Sequence, residues 1–337
     1  MAYETGTASS IEDLMQAFYD FALANGWTGN IFSAANDWCA INNGTEFFQF
    51  RWNNIDAVAM FHSTAFVNTS TAPGNHTGSS GLGQIDASAP YNGTISDATT
   101  STANRQQLRL FTNNAITAYH FFAPASGTKY IHVVVERTPG GYSHMSIGSI
   151  NKRGTWTGGG YSSGSRVSSS ASYSARSGPF GTGATRGFLG TCMFAIRAQG
   201  LPGQAAATRW AVNASYTTAV NTDMDDDAAG NVRSSVVLCG VGQGLFGPFM
   251  GMPADPAAGL TPLLPIEIYH TNNVTTDDNR SYLLGYIPDA FIMNMLNYSA
   301  GQEFTVGANT YMVFPPAAKG SNTPGDVNRG IAYLKAV

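Results

Sequence analysis

Charge is scarce in this sequence. Only 11% of its 337 residues are Asp, Glu, Lys or Arg, against about 25% in an average soluble domain. The 17 basic and 21 acidic residues leave a net charge of −4 and form no Lys/Arg run. That excludes the electrostatic footprint a nucleic-acid binder needs. An apolar stretch of about 18 residues is also missing, so no membrane-spanning helix is expected. The opening MAYETGTASSIEDL lacks a basic n-region and an apolar h-region, which predicts folding in the cytoplasm. Cysteine is limited to Cys39, Cys192 and Cys239, far apart and each in an apolar run. An odd number without metal-ligand spacing favours buried free thiols over a disulfide framework and predicts a reducing compartment. No internal repeat is visible, which argues against a solenoid or propeller.

Gly, Ser, Thr, Asn and Ala take the place of the missing charge, while hydrophobic residues stay at 43% and aromatics at 12%. A chain of this length can bury a substantial core, and the composition is not that of a disordered one. Its polar but weakly charged surface loses little on desolvation, which suits a protein that packs against copies of itself or its neighbours, and equally suits secreted and fibrous β proteins.

Local patterns predict one helix and many strands. Ser9 and Glu12 form an S-x-x-E capping box, and Ile11, Leu14, Met15, Phe18 and Ala22 follow helical spacing. Gly26 stands where a left-handed cap belongs, giving a helix over 10–25 behind an extended N-terminal arm. Asn42-Asn43-Gly44 predicts a hairpin between strands at 38–41 and 46–52. Further strands are expected at 55–67, 116–122, 129–137, 190–198, 234–239, 263–270, 302–306 and 310–314. Residues 68–104 read as a long irregular loop, and residues 154–187 as a Gly/Ser-rich segment ordered by Trp156, Tyr161, Tyr173 and Phe180. The predicted fold is mainly β (α+β): an antiparallel sandwich-like core with one N-terminal amphipathic helix and long Gly/Ser/Thr-rich loops. Residues 1–26 form the arm and helix and 27–337 the β-rich domain, with a sub-boundary in 68–104. A sandwich is favoured over a closed barrel because its open edges can pair with neighbouring subunits.

The segment TKYIHVVVERTPGGYSHMSIG (128–148) reads as a hairpin. A three-residue loop, Pro139-Gly140-Gly141, pairs Val135 with Met145 and Val133 with Ile147 on one face, and sets Glu136 opposite His144 on the other. A two-residue loop would pair Val135 with His144 and mix the faces. Tyr130, His132, Glu136, Tyr142 and His144 then share a face away from the core, too aromatic for plain solvent exposure, which reads as an assembly surface. His132, Glu136 and His144 could bind a metal or act as acid and base; a hydrogen-bonded His–Glu pair is the preferred reading.

Other motif tests fail on context. Gly160-Tyr161-Ser162-Ser163-Gly164 matches G-x-S-x-G but lacks the strand-to-helix elbow. Gly242-Gln243-Gly244-Leu245-Phe246-Gly247 matches G-x-G-x-x-G, but Pro248, Gly251 and Pro253 forbid the helix that motif must open. Asp223, Asp225 and Asp227 have the spacing of an EF-hand start. Ala228 and Ser234 stand where Gly and Glu are needed, which leaves a solvated acidic turn, with Asp226, or a less regular Ca²⁺ site. His62, His76, His120 and His270 have no companions at ligand spacing. Trp27, Trp38, Trp52, Trp156 and Trp210 could stack on sugars, although their spread favours packing. Glu136, Glu267 and Glu303 are too isolated for a polysaccharide-cleaving pair. Asn-x-Ser/Thr sequons at Asn43, Asn68, Asn75, Asn92, Asn213, Asn273, Asn279 and Asn297 reflect abundant Asn, Ser and Thr. No catalytic, cofactor-binding or metal residue is assigned, and an enzyme is not expected.

Three blocks carry a resemblance. The first is Met1 to Ser10 running into Ala24-Asn25-Gly26-Trp27-Thr28. The second is YIHVVVE…YSHMSIGSINKRGTWTGGGY, beginning at Tyr130. The third joins Gly285-Tyr286-Ile287-Pro288-Asp289, GQEFTVGANTYMVFPPAAKG and Gly330-Ile331-Ala332-Tyr333. Together they resemble a family of virion structural proteins of tailed bacteriophages, encoded among tail or neck genes; residues 68–115 and 200–260 resemble it least. The resemblance implies a non-enzymatic tail, neck or baseplate-proximal subunit. Such a subunit folds in the host cytoplasm and assembles as a symmetric homo-oligomer with itself and neighbouring virion proteins. Its arm and residues 68–104 would reach across subunit boundaries. The alternatives are a receptor- or glycan-binding tail-tip module, a capsid decoration or minor capsid protein, and a polysaccharide-degrading enzyme. The family carries no functional residues over to this chain.

Overall fold

A computed structural model describes residues 1–53, 57–71, 73, 76–77, 106–109, 116–167, 176–177, 193–199, 209–213, 234–239, 261–272, 281–316 and 329–337. Along the chain run β1 (Ala2–Ala8), α1 (Ile11–Ala24), β2 (Thr28–Ser33), β3 (Trp38–Asn42), β4 (Phe47–Trp52), β5 (Ala57–Ser63), β6 (Gln106–Arg109), β7 (Ile116–Ala123), β8 (Tyr130–Thr138), β9 (Gly141–Ser149), β10 (Asn151–Lys152) and β11 (Thr157–Gly164). They are followed by β12 (Arg166–Val167), β13 (Arg176–Ser177), β14 (Met193–Gln199), β15 (Arg209–Asn213), β16 (Ser234–Cys239), β17 (Leu264–Asn272), β18 (Ser281–Asn294), β19 (Gln302–Val306), β20 (Asn309–Phe314) and β21 (Arg329–Ala336). The fold is mixed α+β, dominated by antiparallel strands with one N-terminal helix. Among the described residues no helix is long and apolar enough to cross a membrane.

Three sheets carry the architecture. Sheet A has seven strands in the order β1-β7-β8-β9-β11-β14-β15. Sheet B is a five-stranded run, β2-β3-β4-β5-β6. Sheet C follows β16-β17-β18-β21-β20-β19, with β10 paired to β18. Sheet A is buried on both faces. Ile131, Val133, Val135, Met145, Ile147 and Phe121 pack with α1 and with Phe48, Phe50, Trp52 and Met60 of sheet B. Phe122, Val134, Tyr142, Tyr161 and Ile196 pack with Ile266, Ile268, Ile292, Phe314 and Tyr333 of sheet C. Each such side chain contributes about 1.5–3 kcal/mol of apolar transfer free energy. A smaller cluster, including Met293, Met295, Tyr311 and Val313, covers the far side of sheet C.

Helix α1 forms where its spacing predicts and buries Ile11, Leu14, Met15, Phe18, Phe21 and Ala22. Its N-cap is Ser10, one residue later than the capping-box reading: Ser10 Oγ accepts from Asp13 N at 3.0 Å, and the Ser9 hydroxyl donates to the Asp13 carboxylate. Gly26 takes φ +78°, the left-handed stop. The Phe18 ring meets Phe50 at 5.0 Å and Phe121 at 6.1 Å, so the helix is wedged between sheets A and B. The N-terminal segment is β1, antiparallel to β7, with Tyr3 opposite Phe122.

Within 154–187, Trp156 and Tyr161 are buried, as expected of an ordered segment, while Tyr173 and Phe180 lie outside the described residues. Residues 157–164 form a strand the sequence did not indicate, β11, in the interior of sheet A between β9 and β14. Its composition, TGGGYSSG, has little β propensity. Small residues are needed because both faces are crowded: a Cβ at Gly160 would sit 2.6 Å from both Glu46 and His62. Cys39 is a fully buried thiol whose pKa burial pushes far up, leaving it inert. Cys192, the side chain of Cys239 and most of 68–104 lie outside the described residues.

Candidate functional site

The hairpin of β8 and β9 forms, but with a register displaced by two. Pro139 and Gly140 make a two-residue turn, Gly140 at φ +78°, and Thr138 pairs with Gly141. A bulge between Glu136 and Thr138 then restores the faces, so that Glu136 opposes Tyr142 and Val133 opposes Met145. The apolar face of Val133, Val135, Met145 and Ile147 therefore holds. The expected Glu136–His144 pair does not. The Glu136 carboxylate accepts instead from Gly140 N at 2.9 Å and from the Tyr142 hydroxyl at 3.2 Å.

The second face of this hairpin is also not an exposed assembly surface. Tyr130, His132, Tyr142 and His144 are buried because sheet C covers them. At His132, Nε2 lies 2.7 Å from the Pro288 carbonyl, which only accepts, so Nε2 carries the proton. Nδ1 must then accept from the Ser146 hydroxyl at 2.7 Å, and Ser146 Oγ accepts from the Tyr161 hydroxyl, also at 2.7 Å. At His144 the same logic gives Nε2–H donating to Pro315 O at 2.9 Å and Nδ1 accepting from the Tyr333 hydroxyl at 2.9 Å. Tyr130 donates to Asp289 Oδ2 at 2.5 Å, where Asp289 adopts the left-handed φ of +53°. Each bond crosses from sheet A to sheet C or anchors one that does.

The electrostatics fix these groups as neutral. Burial drives His132 down to about 3 and His144 down to about 4. Burial likewise raises the phenols of Tyr130, Tyr161 and Tyr333. Ser146 and His132 have the separation of a nucleophile and its base. Both are fully enclosed, and the outer imidazole nitrogen is committed to a backbone carbonyl, so the pair ties two sheets together.

The blocks that carry the resemblance meet at this seam. The second block supplies Tyr130, His132, His144, Ser146 and Tyr161. The third supplies Pro288, Asp289, Pro315 and Tyr333. From the first, Met1 Sδ lies 3.6 Å from the Tyr130 hydroxyl. The Tyr3 hydroxyl contacts His120 Nδ1 at 2.9 Å, and the Tyr3 ring packs on Phe122 at 5.2 Å.

A second polar cluster had no sequence signal at all. Glu46, just ahead of β4, contacts His62 Nε2 at 3.0 Å and Arg197 Nε at 2.6 Å. Burial alone would raise the Glu46 carboxyl, but its bonds to His62 and Arg197 outweigh that and hold it low. Burial also depresses His62, which therefore stays neutral and donates to an ionised Glu46. The cluster clamps sheet B to β14. Glu46→Ala leaves a partly exposed guanidinium and a buried imidazole without their carboxylate and is expected to lower unfolding free energy by about 2 kcal/mol, measured by equilibrium denaturation.

The remaining expected features are placed plainly. Trp27, Trp38, Trp52 and Trp156 are buried, at 4%, 4%, 0% and 8% exposure, and make no stacking platform; the side chain of Trp210 lies outside the described residues. Ser162 is a fully buried mid-strand residue of β11. Glu303 pairs with Lys335 at 2.6 Å, and Glu267 lies in β17 opposite Tyr286. Asp223–Asp227 and Gly242–Gly247 lie outside the described residues. Among the described residues, no three His, Cys, Asp or Glu side chains cluster as a metal site would require. Compared with protein-family models and with curated proteins, the chain matches none.

Proposed function

We propose that this chain is a non-enzymatic structural subunit of a tailed-bacteriophage virion, in the tail, neck or baseplate-proximal region, working as a symmetric homo-oligomer. One observation carries the reading: the three resembling blocks converge on one buried, neutral, hydrogen-bonded seam between sheets A and C. A core tied together by buried hydrogen bonds between two sheets suits a rigid structural subunit. The reactive side chains within it are taken up by backbone carbonyls and hydroxyls. The stacking of sheets A and C across the seam is read as a sandwich-like core.

Open sheet edges supply the means of assembly. At the end of sheet C, β19 is paired only with β20 among the described residues, and Val306 on it is 50% exposed. The test is light scattering on the size-fractionated protein. A discrete multiple of the 35.6 kDa chain is expected, and Val306→Lys is expected to weaken it. A chain that stays monomeric at every concentration reached would count against the proposal.

A further inference from the structure

The two histidines of the seam form a unit. His132 opposes Ser146 while Val134 opposes His144, which makes them diagonal neighbours on one face of the hairpin. Both rings lie against Tyr333, at centroid distances of 5.1 and 6.0 Å. Each imidazole has both nitrogens engaged by neutral groups: Ser146 and the Pro288 carbonyl for His132, Tyr333 and the Pro315 carbonyl for His144. A proton taken up by either must go on Nδ1, which now accepts a hydroxyl hydrogen. It reverses that bond and buries a charge beside a second, equally poised imidazole.

The surroundings do not offset this. Tyr130 lies against His132 and Tyr161 bonds to its Ser146 partner, both from sheet A, and Tyr333 reaches both rings from sheet C. Arg137 acts on His144 with the repelling sign. The carboxylates at the rim are engaged: Asp289 by Tyr130, Glu136 by Tyr142 and the Gly140 amide. His120 on β7, between Tyr3 and Phe314, is also pushed down by burial, to about 4, with Glu136 and Lys335 acting in opposite directions, so it adds a third acid-sensitive group at the edge of the seam. On the other side of sheet A, burial also holds His62 low and Arg197 repels its proton, but the Glu46 carboxylate bonded to it offsets part of that cost. Acid therefore acts more strongly on the sheet C face, where His132 and His144 are held by hydroxyls and backbone carbonyls.

We propose that the seam is an acid-sensitive latch: joint protonation of His132 and His144 unseats β18 and β21 from the β8–β9 hairpin while α1 and sheet B stay folded. The sign follows from linkage. Both groups titrate lower in the closed seam than in solvent, near 6.5. The latch is at full strength above that value and weakens as pH falls below it. For two protons, the opening constant rises by roughly five-thousandfold between pH 7.5 and 4.5.

Amide hydrogen exchange of the intact protein, read by peptide mass and corrected for intrinsic pH dependence, tests this. Peptides spanning 281–294 and 329–336 are expected to lose protection by about that factor, while those spanning 11–24 and 38–52 change less than about tenfold. Protection is expected to return at pH 7.5. In His132→Gln/His144→Gln the acid-driven loss should fall at least about tenfold, the remainder being that of His120. The wild type alone decides the matter if that variant does not fold. Equal loss in all four segments, or no loss in any, overturns the proposal.

Discussion

Gly148→Ala is expected to remove about 3–4 kcal/mol of stability, a large share of the roughly 5–15 kcal/mol a domain holds. Gly148 lies in β9 opposite Tyr130 at φ +137°. A Cβ there would stand 2.4 Å from both the Lys129 carbonyl oxygen and the Tyr130 Cα. Those are backbone atoms at the start of the interior strand β8, which cannot rotate away as a side chain could. An alanine in that conformation adds about 1–2 kcal/mol, and overpacking adds about 1–3 kcal/mol more. Gly140→Ala is the control. Its φ is +78°, but nothing lies within 4 Å of the added carbon, so about 1–2 kcal/mol is expected from conformation alone. Denaturant midpoints of the two variants, compared at unchanged slope, separate steric from conformational effects.

Tyr333→Ala is the second large effect. The ring is fully buried, stacked on Phe122 at 5.2 Å and set between His132 and His144. Removing a buried aromatic side chain costs about 3–5 kcal/mol. Leaving His144 Nδ1 without its donor adds about 1–3 kcal/mol. A total of about 5 kcal/mol is expected, enough to unfold a domain at the lower end of natural stability. Tyr333→Phe keeps the packing and loses only the hydroxyl, so it should fall about 1–3 kcal/mol. If the two variants were equally destabilised, packing would contribute nothing and the seam would be a hydrogen-bond network alone. Thermal melts of both, with calorimetric enthalpies, measure the difference.

Local signals in the sequence were legible because their causes are local. The α1 stripe, the left-handed Gly26 and the Asn42-Asn43-Gly44 hairpin need only neighbouring residues. The hairpin of β8 and β9 was legible in its faces but not in its register. Hydrophobic matching constrains which side chains share a face. It cannot see the bulge by Glu136 that lets a two-residue turn keep those faces in phase. Strand β11 was hidden because its Gly and Ser residues are dictated by neighbours on both sides rather than by propensity. Strand β18 was hidden by Gly285 and Pro288 within it, the latter supplying the carbonyl that holds His132.

The site itself was out of reach for a related reason. His132 and Pro288 are 156 positions apart, His144 and Tyr333 are 189, and Glu46 and Arg197 are 151. No spacing rule spans such distances. Reading the polar face of the hairpin as too aromatic for solvent was correct chemistry. Its partner, however, is sheet C of the same chain rather than a neighbouring subunit.

The claim that this is a virion structural subunit is tested most directly by finding the protein on the particle. Antibody raised against the folded chain, applied with gold to intact purified phage, is predicted to label one place on the tail, neck or baseplate in repeating copies. Particles that carry none of the chain, from a lysate in which it is abundant and folded, would contradict it.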